Sequence, residues 1–154
     1  MASVRRVVTG HDANGRAVVK YDDVRGGADQ WTAVVWTTDT SPASNNAEED
    51  GADRPVRTTS PGGSLCRYSE IPPHYDSRMH RTKTLDFGIV IEGEIEMELD
   101  GGEWVTLRAG DVIVQRGTNH AWANKSDKTC RMFWAMVEAE PVVLDGKEME
   151  ITQT

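Results

Sequence analysis

The segment Glu94–Leu99 constrains the fold more than any other. Ile95, Met97 and Leu99 alternate with Glu94, Glu96 and Glu98. That period of two gives one wet and one buried face, the signature of a half-buried strand. Asp100-Gly101-Gly102 turns the chain, and Trp104, Val105 and Leu107 return it. Similar strand-like runs occupy residues 5–9, 17–21, 31–37, 63–71, 111–115, 121–124 and 131–137, and Pro72-Pro73 closes the fourth of these. Asn14-Gly15 between the first two is a strong hairpin signal. No segment sustains a helical period beyond about two turns, although Asp22-Asp23 is expected to open a short helix. Many short strands with polar turns predict an all-β fold, an antiparallel sandwich or jelly-roll barrel. One domain over 1–154 is expected, with N-terminal strands in 1–62 and the barrel in 63–140. Residues 38–54 are rich in Ser, Asn, Ala, Asp, Glu and Pro. They predict a mobile excursion, read as a lid over the barrel mouth.

The net charge of −8 argues against nucleic acid and anionic membrane surfaces, which need a basic face. Residues 1–10 hold no apolar run suited to a leader, and no stretch approaches the roughly 20 apolar residues of a membrane span. Cys66 and Cys130 sit in strand-like surroundings outside any CxxC pattern. They are read as reduced thiols of a cytoplasmic protein.

Two stretches carry the chemistry. His80-Arg81-Thr82-Lys83-Thr84-Leu85-Asp86 runs on to Gly93, and Gly110 leads through Gly117 to His120 and Asn124. Together they resemble the paired signatures of the cupin superfamily. His80 takes the first histidine position, Thr82 the second, Asp86 the glutamate and Gly93 the closing glycine; His74 stands at the opening glycine. In the second signature Gly110, His120 and Asn124 fit, while Arg116 stands at the proline place and the glycine-to-histidine interval is one residue short. The resemblance covers residues 63–137 and implies an antiparallel double-stranded β-helix, or cupin jelly roll. Residues 79–90 and 115–122 further resemble a cupin branch found in fungi and bacteria. Some fungal members of that branch accompany polyketide synthases and are described as tailoring oxidoreductases. Cupins commonly pair, so a homodimer is expected.

Strand parity points His80, Thr82 and Asp86 into one interior, where His120 joins them from a second strand. Two imidazoles and a carboxylate are the donor set of a facial triad for a divalent metal: Fe, Zn, Mn or Ni. The same residues also suit a metal-free pocket, with His80, His120 and Asp86 as hydrogen-bonded polar or acid–base groups. Trp122 and Asn124 share parity with His120 and are expected to flank it, and Trp134 joins the wall. Arg78 and Arg116, each beside a motif, are candidate clamps for a carboxylate, phenolate or enolate at the barrel mouth.

Three functions follow. The first is an oxidoreductase of secondary or aromatic metabolism that uses a divalent metal on His80, Asp86 and His120. The second is a metal-independent dehydratase, isomerase or decarboxylase with a histidine general base. The third is a non-catalytic small-molecule-binding module. All three take a small molecule as partner.

Overall fold

In the computed structural model, which describes residues 1–27 and 30–152, the alternating segments become thirteen strands. The N-terminal hairpin joins β1 (Ser3–His11) to β2 (Ala17–Gly26) through the Asn14-Gly15 turn. A five-stranded antiparallel sheet follows the order β3 (Thr32–Thr38), β4 (Ser64–Ile71), β11 (Cys130–Glu138), β6 (Thr84–Glu92), β9 (Val112–Arg116). A four-stranded sheet follows β5 (Tyr75–Asp76), β10 (His120–Asn124), β7 (Glu94–Leu99), β8 (Glu103–Arg108). The short hairpin β12 (Val143–Leu144) and β13 (Lys147–Glu148) ends the series.

The two larger sheets face each other as a jelly-roll barrel, closed at one end by a single apolar cluster. Ile71, Val90, Ile95, Leu107, Cys130 and Met132 form its buried centre. Each comes from the inward parity of its strand, so sheet pairing and side-chain burial are one constraint. Gly93 links β6 to β7 with φ 79. A Cβ there would approach Thr129 O to 2.9 Å, so both the turn and its packing require glycine. A second cluster, Ala2, Ala33 and Tyr68, packs the N-terminal segment against β3 and β4.

Asp22 and Asp23 do not open a helix. They lie within β2, opposite Val7 and Arg6, among β-branched neighbours and beside arginines of β1. Arg5 donates to both oxygens of Asp22, at 2.8 and 2.9 Å, and Arg6 donates to both of Asp23 at 2.8 Å. Cross-strand charge pairing here outweighs the helix-start tendency of two acids.

Residues 38–54 do not cover the barrel mouth. They pass beside the N-terminal hairpin and are tied down at Asp50. Its carboxylate accepts from the Ala52 amide at 2.9 Å and caps the single 3-10 turn Gly51–Asp53. The same carboxylate meets Arg6, whose side chain is 1% exposed, at 2.7 Å. Arg6 is thus a buried cation held between two carboxylates, and the Thr37 hydroxyl secures Gly51 O.

Asp50→Ala is therefore expected to cost about 3 kcal/mol, because it strips a buried cation of one partner and a turn of its cap. At this chain length that is roughly 6–12 °C in melting temperature by circular dichroism. Asp22→Ala, which breaks an exposed pair, should cost under about 1 kcal/mol. Equal effects of the two would refute the buried clamp.

Candidate functional site

β10 is the element that builds the site. It lies between β7 and β5, with His120 opposite Leu99, Trp122 opposite Met97 and Asn124 opposite Tyr75. Beyond its start, His120 forms an isolated antiparallel bridge with His80. The two residues exchange both backbone bonds, His80 N to His120 O at 2.8 Å and His120 N to His80 O at 2.9 Å. Directly opposed residues place their side chains on one face at close range. Hence the imidazoles meet, with ring centroids 4.2 Å apart. His80 precedes β6 and reaches the cavity through this bridge, not through strand alternation.

Each ring is oriented by the chain two residues earlier. His80 Nδ1 lies 2.9 Å from Arg78 O, and His120 Nδ1 lies 2.9 Å from Thr118 O. A carbonyl only accepts, so Nδ1 carries the proton and Nε2 keeps its lone pair in the neutral ring. Burial, more than any other cause, pushes the His120 imidazole down to about 4, and neighbouring His80 adds to that. His120 is therefore neutral at physiological pH.

Asp86 sits on the inward face of β6, opposite Gln115 of β9. Gln115 Nε2 donates to one carboxylate oxygen at 3.0 Å, and the other oxygen is buried with no hydrogen-bond partner. Burial raises the Asp86 carboxyl to about 6, against the lowering pulls of the nearby Thr84 hydroxyl and, less, of the Arg67 charge. The Thr84 hydroxyl donates to Thr82 at 2.8 Å, which fixes Thr82 at the cavity wall.

His80, Thr82, Asp86, Gln115 and His120 line one cavity of about 570 Å³. Trp122 packs edge-on against His120, with centroids 5.8 Å apart, and against Trp134 at 5.2 Å. Trp134 fits because Gly88 lies opposite it on β6: a Cβ there would fall 2.6 Å from the indole. Trp31 and Tyr75, 5.2 Å apart, form a second aromatic wall. Arg67, Ser69, Arg57 and Arg78 also line the space.

The structure thus brings together His80, Thr82, Asp86, His120, Trp122, Trp134 and Arg78. Two expected pocket residues are elsewhere. Asn124 is buried at the far end of β10, where its amide donates to Ile71 O, Pro72 O and Lys128 O at 2.8–3.1 Å. It knots loops together and does not face the cavity. Arg116 is exposed on β9 and lies beside a different hollow. β9 points Gln115 inward, so its neighbour must point out. His74 adopts φ 56 and pairs with Asp127 at 3.0 Å on the surface; a positive φ suits the glycine place it occupies in the motif. Arg67 and Gln115 were missed by sequence reasoning. The available signal was β4 parity, since Leu65, Arg67, Ser69 and Ile71 share the inward face.

The metal triad expected of His80, Asp86 and His120 is not assembled. Among the described residues, no three His, Cys, Asp or Glu side chains are grouped to hold a metal ion. The physical reason lies in the partners: the bridge fixes the imidazoles to each other, while Gln115 holds Asp86 on the opposite sheet. The donors present do not fit a two-histidine, one-carboxylate centre.

Fold and cavity define a small β-barrel pocket protein, and the comparisons name its family. The family model described as "Cupin domain" matches residues 67–136. The chain is 38% identical to phomopsin biosynthesis cluster protein C' of Diaporthe leptostromiformis, over 92% of this chain and 82% of that one. It is 34% identical to the cupin-domain-containing oxidoreductase fogC of Aspergillus ruber, over 97% and 80%. A cupin 2 conserved barrel domain protein from Salinispora arenicola aligns structurally over 55% of this chain and 70% of its own, at 22% identity and TM-score 0.44. The chain belongs to the cupin family. Among the described residues no helix is long and apolar enough to cross a membrane.

Because its folded-state value lies above the ordinary carboxylate value, Asp86 adds stability below about pH 4 that is lost as pH rises through about 6. Asp86→Asn should therefore melt above wild type near pH 8, by up to about 3 kcal/mol. The gap should close on titration to about pH 4. A gap that is constant with pH would show that Asp86 is not a buried, raised carboxyl.

Proposed function

We propose that this cupin is a small-molecule enzyme of secondary metabolism whose side chains transfer protons on a carbonyl or aromatic substrate without a bound metal. One observation carries the reading: two imidazoles, each with Nδ1 engaged by a backbone carbonyl, share an aromatic cavity with a carboxyl near 6. A group with that value exchanges protons readily at neutral pH. Asp86, through its unpartnered oxygen, takes or returns the proton at the reacting carbon. The Nε2 atoms of His80 and His120 accept from a substrate hydroxyl and hold it against the tryptophan wall. Exclusion of water by Trp122 and Trp134 strengthens these contacts.

Tautomerisation, dehydration and the proton steps beside a two-electron oxidation all draw on these groups. The fungal relatives' names, a biosynthesis cluster protein and a cupin-domain-containing oxidoreductase, support the metabolic setting. The free thiols of Cys66 and Cys130 support a reducing, cytoplasmic one. Homodimerisation belongs to the same proposal. Phe87, Ile89 and Ile91 of β6 and Val112 and Val114 of β9 lie exposed on one outer sheet face, an apolar patch suited to twofold pairing. Val114→Glu should then turn a dimer into a monomer in sedimentation analysis, and an unchanged dimer refutes this face.

Turnover of β-keto and phenolic compounds is expected to survive EDTA. Asp86→Asn should lower kcat by about 10²–10⁴-fold and remove a limb that rises with pH near 6. A stoichiometric transition metal whose loss in His80→Ala abolishes activity would overturn the proposal.

A further inference from the structure

Among the described residues two arginines, Arg6 on the N-terminal hairpin and Arg67 in the barrel, are withdrawn from solvent, and they are treated differently. Arg6 is clamped by Asp23 and Asp50. Arg67, on the inward face of β4, has no carboxylate within 4 Å among the described residues. Its Nη2 donates to Arg57 O at 2.9 Å and Thr58 O at 3.4 Å, which aims the guanidinium, while its Nε is buried without a hydrogen-bond partner. An unsatisfied donor on a sequestered cation is costly, so a fold that retains one needs something to fill it.

The surroundings state the chemistry of that something. Three arginines, Arg57, Arg67 and Arg78, line the cavity against two acids, Asp76 and Asp86, in a chain whose net charge is −8. The cavity thus reverses the sign of the molecule and favours an anion. Its two aromatic pairs, Trp31/Tyr75 and Trp122/Trp134, favour a flat apolar body behind that anion. The guanidinium fork matches a planar carboxylate.

We infer that the cavity takes a substrate bearing a carboxylate on an aromatic or conjugated body, with Arg67 as its anchor. This specifies the substrate class of the proposed active site and rests on that cavity being the site. Arg67 takes over the clamp expected of Arg116, whose side chain faces away.

Benzoate and trans-cinnamate, compared with benzamide and cinnamamide, test this on the full chain by tryptophan fluorescence and thermal shift. Wild type should bind each carboxylate at least about tenfold more tightly than its amide. Arg67→Met should still fold, since it removes an incompletely paired buried cation, yet lose that preference. Asp86→Asn should keep it, because anchoring does not depend on proton transfer. If Arg67→Met does not fold, the Arg67 Nε–H resonance of the wild type decides: benzoate should move it and benzamide should not. Equal binding of acid and amide, an unmoved resonance, or no carboxylate binding at millimolar concentration overturns the anchor. Failure of the acid–base reading would appear separately, as full turnover in Asp86→Asn with the carboxylate preference intact.

Discussion

The site depends on the reciprocal backbone bridge between His80 and His120. Two amide–carbonyl bonds fix these residues opposite each other, so both imidazoles leave the backbone on the same side. Their separation is then a property of β-pairing and not of any attraction between the rings. Holding two imidazoles together in one cavity gains little by itself. The bridge, extended by β10 pairing with β7, holds them there, and the Arg78 and Thr118 carbonyls orient the rings.

Around that bridge the barrel is divided along its length. One end is filled by the apolar cluster of Ile71, Val90, Ile95, Leu107, Cys130 and Met132. The other end is left open and polar. A filled end allows an unfilled one: strands anchored by a close-packed core can hold Asp86 and Arg67 in orientations their charges would not choose. Both cysteines remain outside the chemistry, and Cys130, raised by burial to about 11, stays protonated.

Much of this was legible in the residues. The alternation in 94–99, the Gly93 turn and the His80, Asp86 and His120 positions pointed to a barrel with an interior cluster, because period and turn chemistry are local. The failures share one cause: they needed to know which neighbour wins. Asp22 and Asp23 read as a helix start, because nothing local shows that Arg5 and Arg6 of the neighbouring strand take their carboxylates. Asn124 has the parity of a pocket residue, yet the carbonyls of Ile71, Pro72 and Lys128 consume its amide. Arg116 and Gln115 are adjacent, and the choice of which faces inward is made by pairing with β6. Asp86 and the two histidines read as one metal set, although they end on different sheets with different partners.

The sequence alone determined the class of fold and the identity of its interior polar groups. Side-chain alternation and turn residues act over a few positions, and no tertiary contact is needed to read them. Only the folded chain decided how those groups combine. It set the imidazoles against each other, gave Asp86 to Gln115, and left Arg67 Nε unpaired inside the barrel. Those outcomes depend on register between strands far apart in the chain, where a shift of one residue exchanges the inner and outer faces.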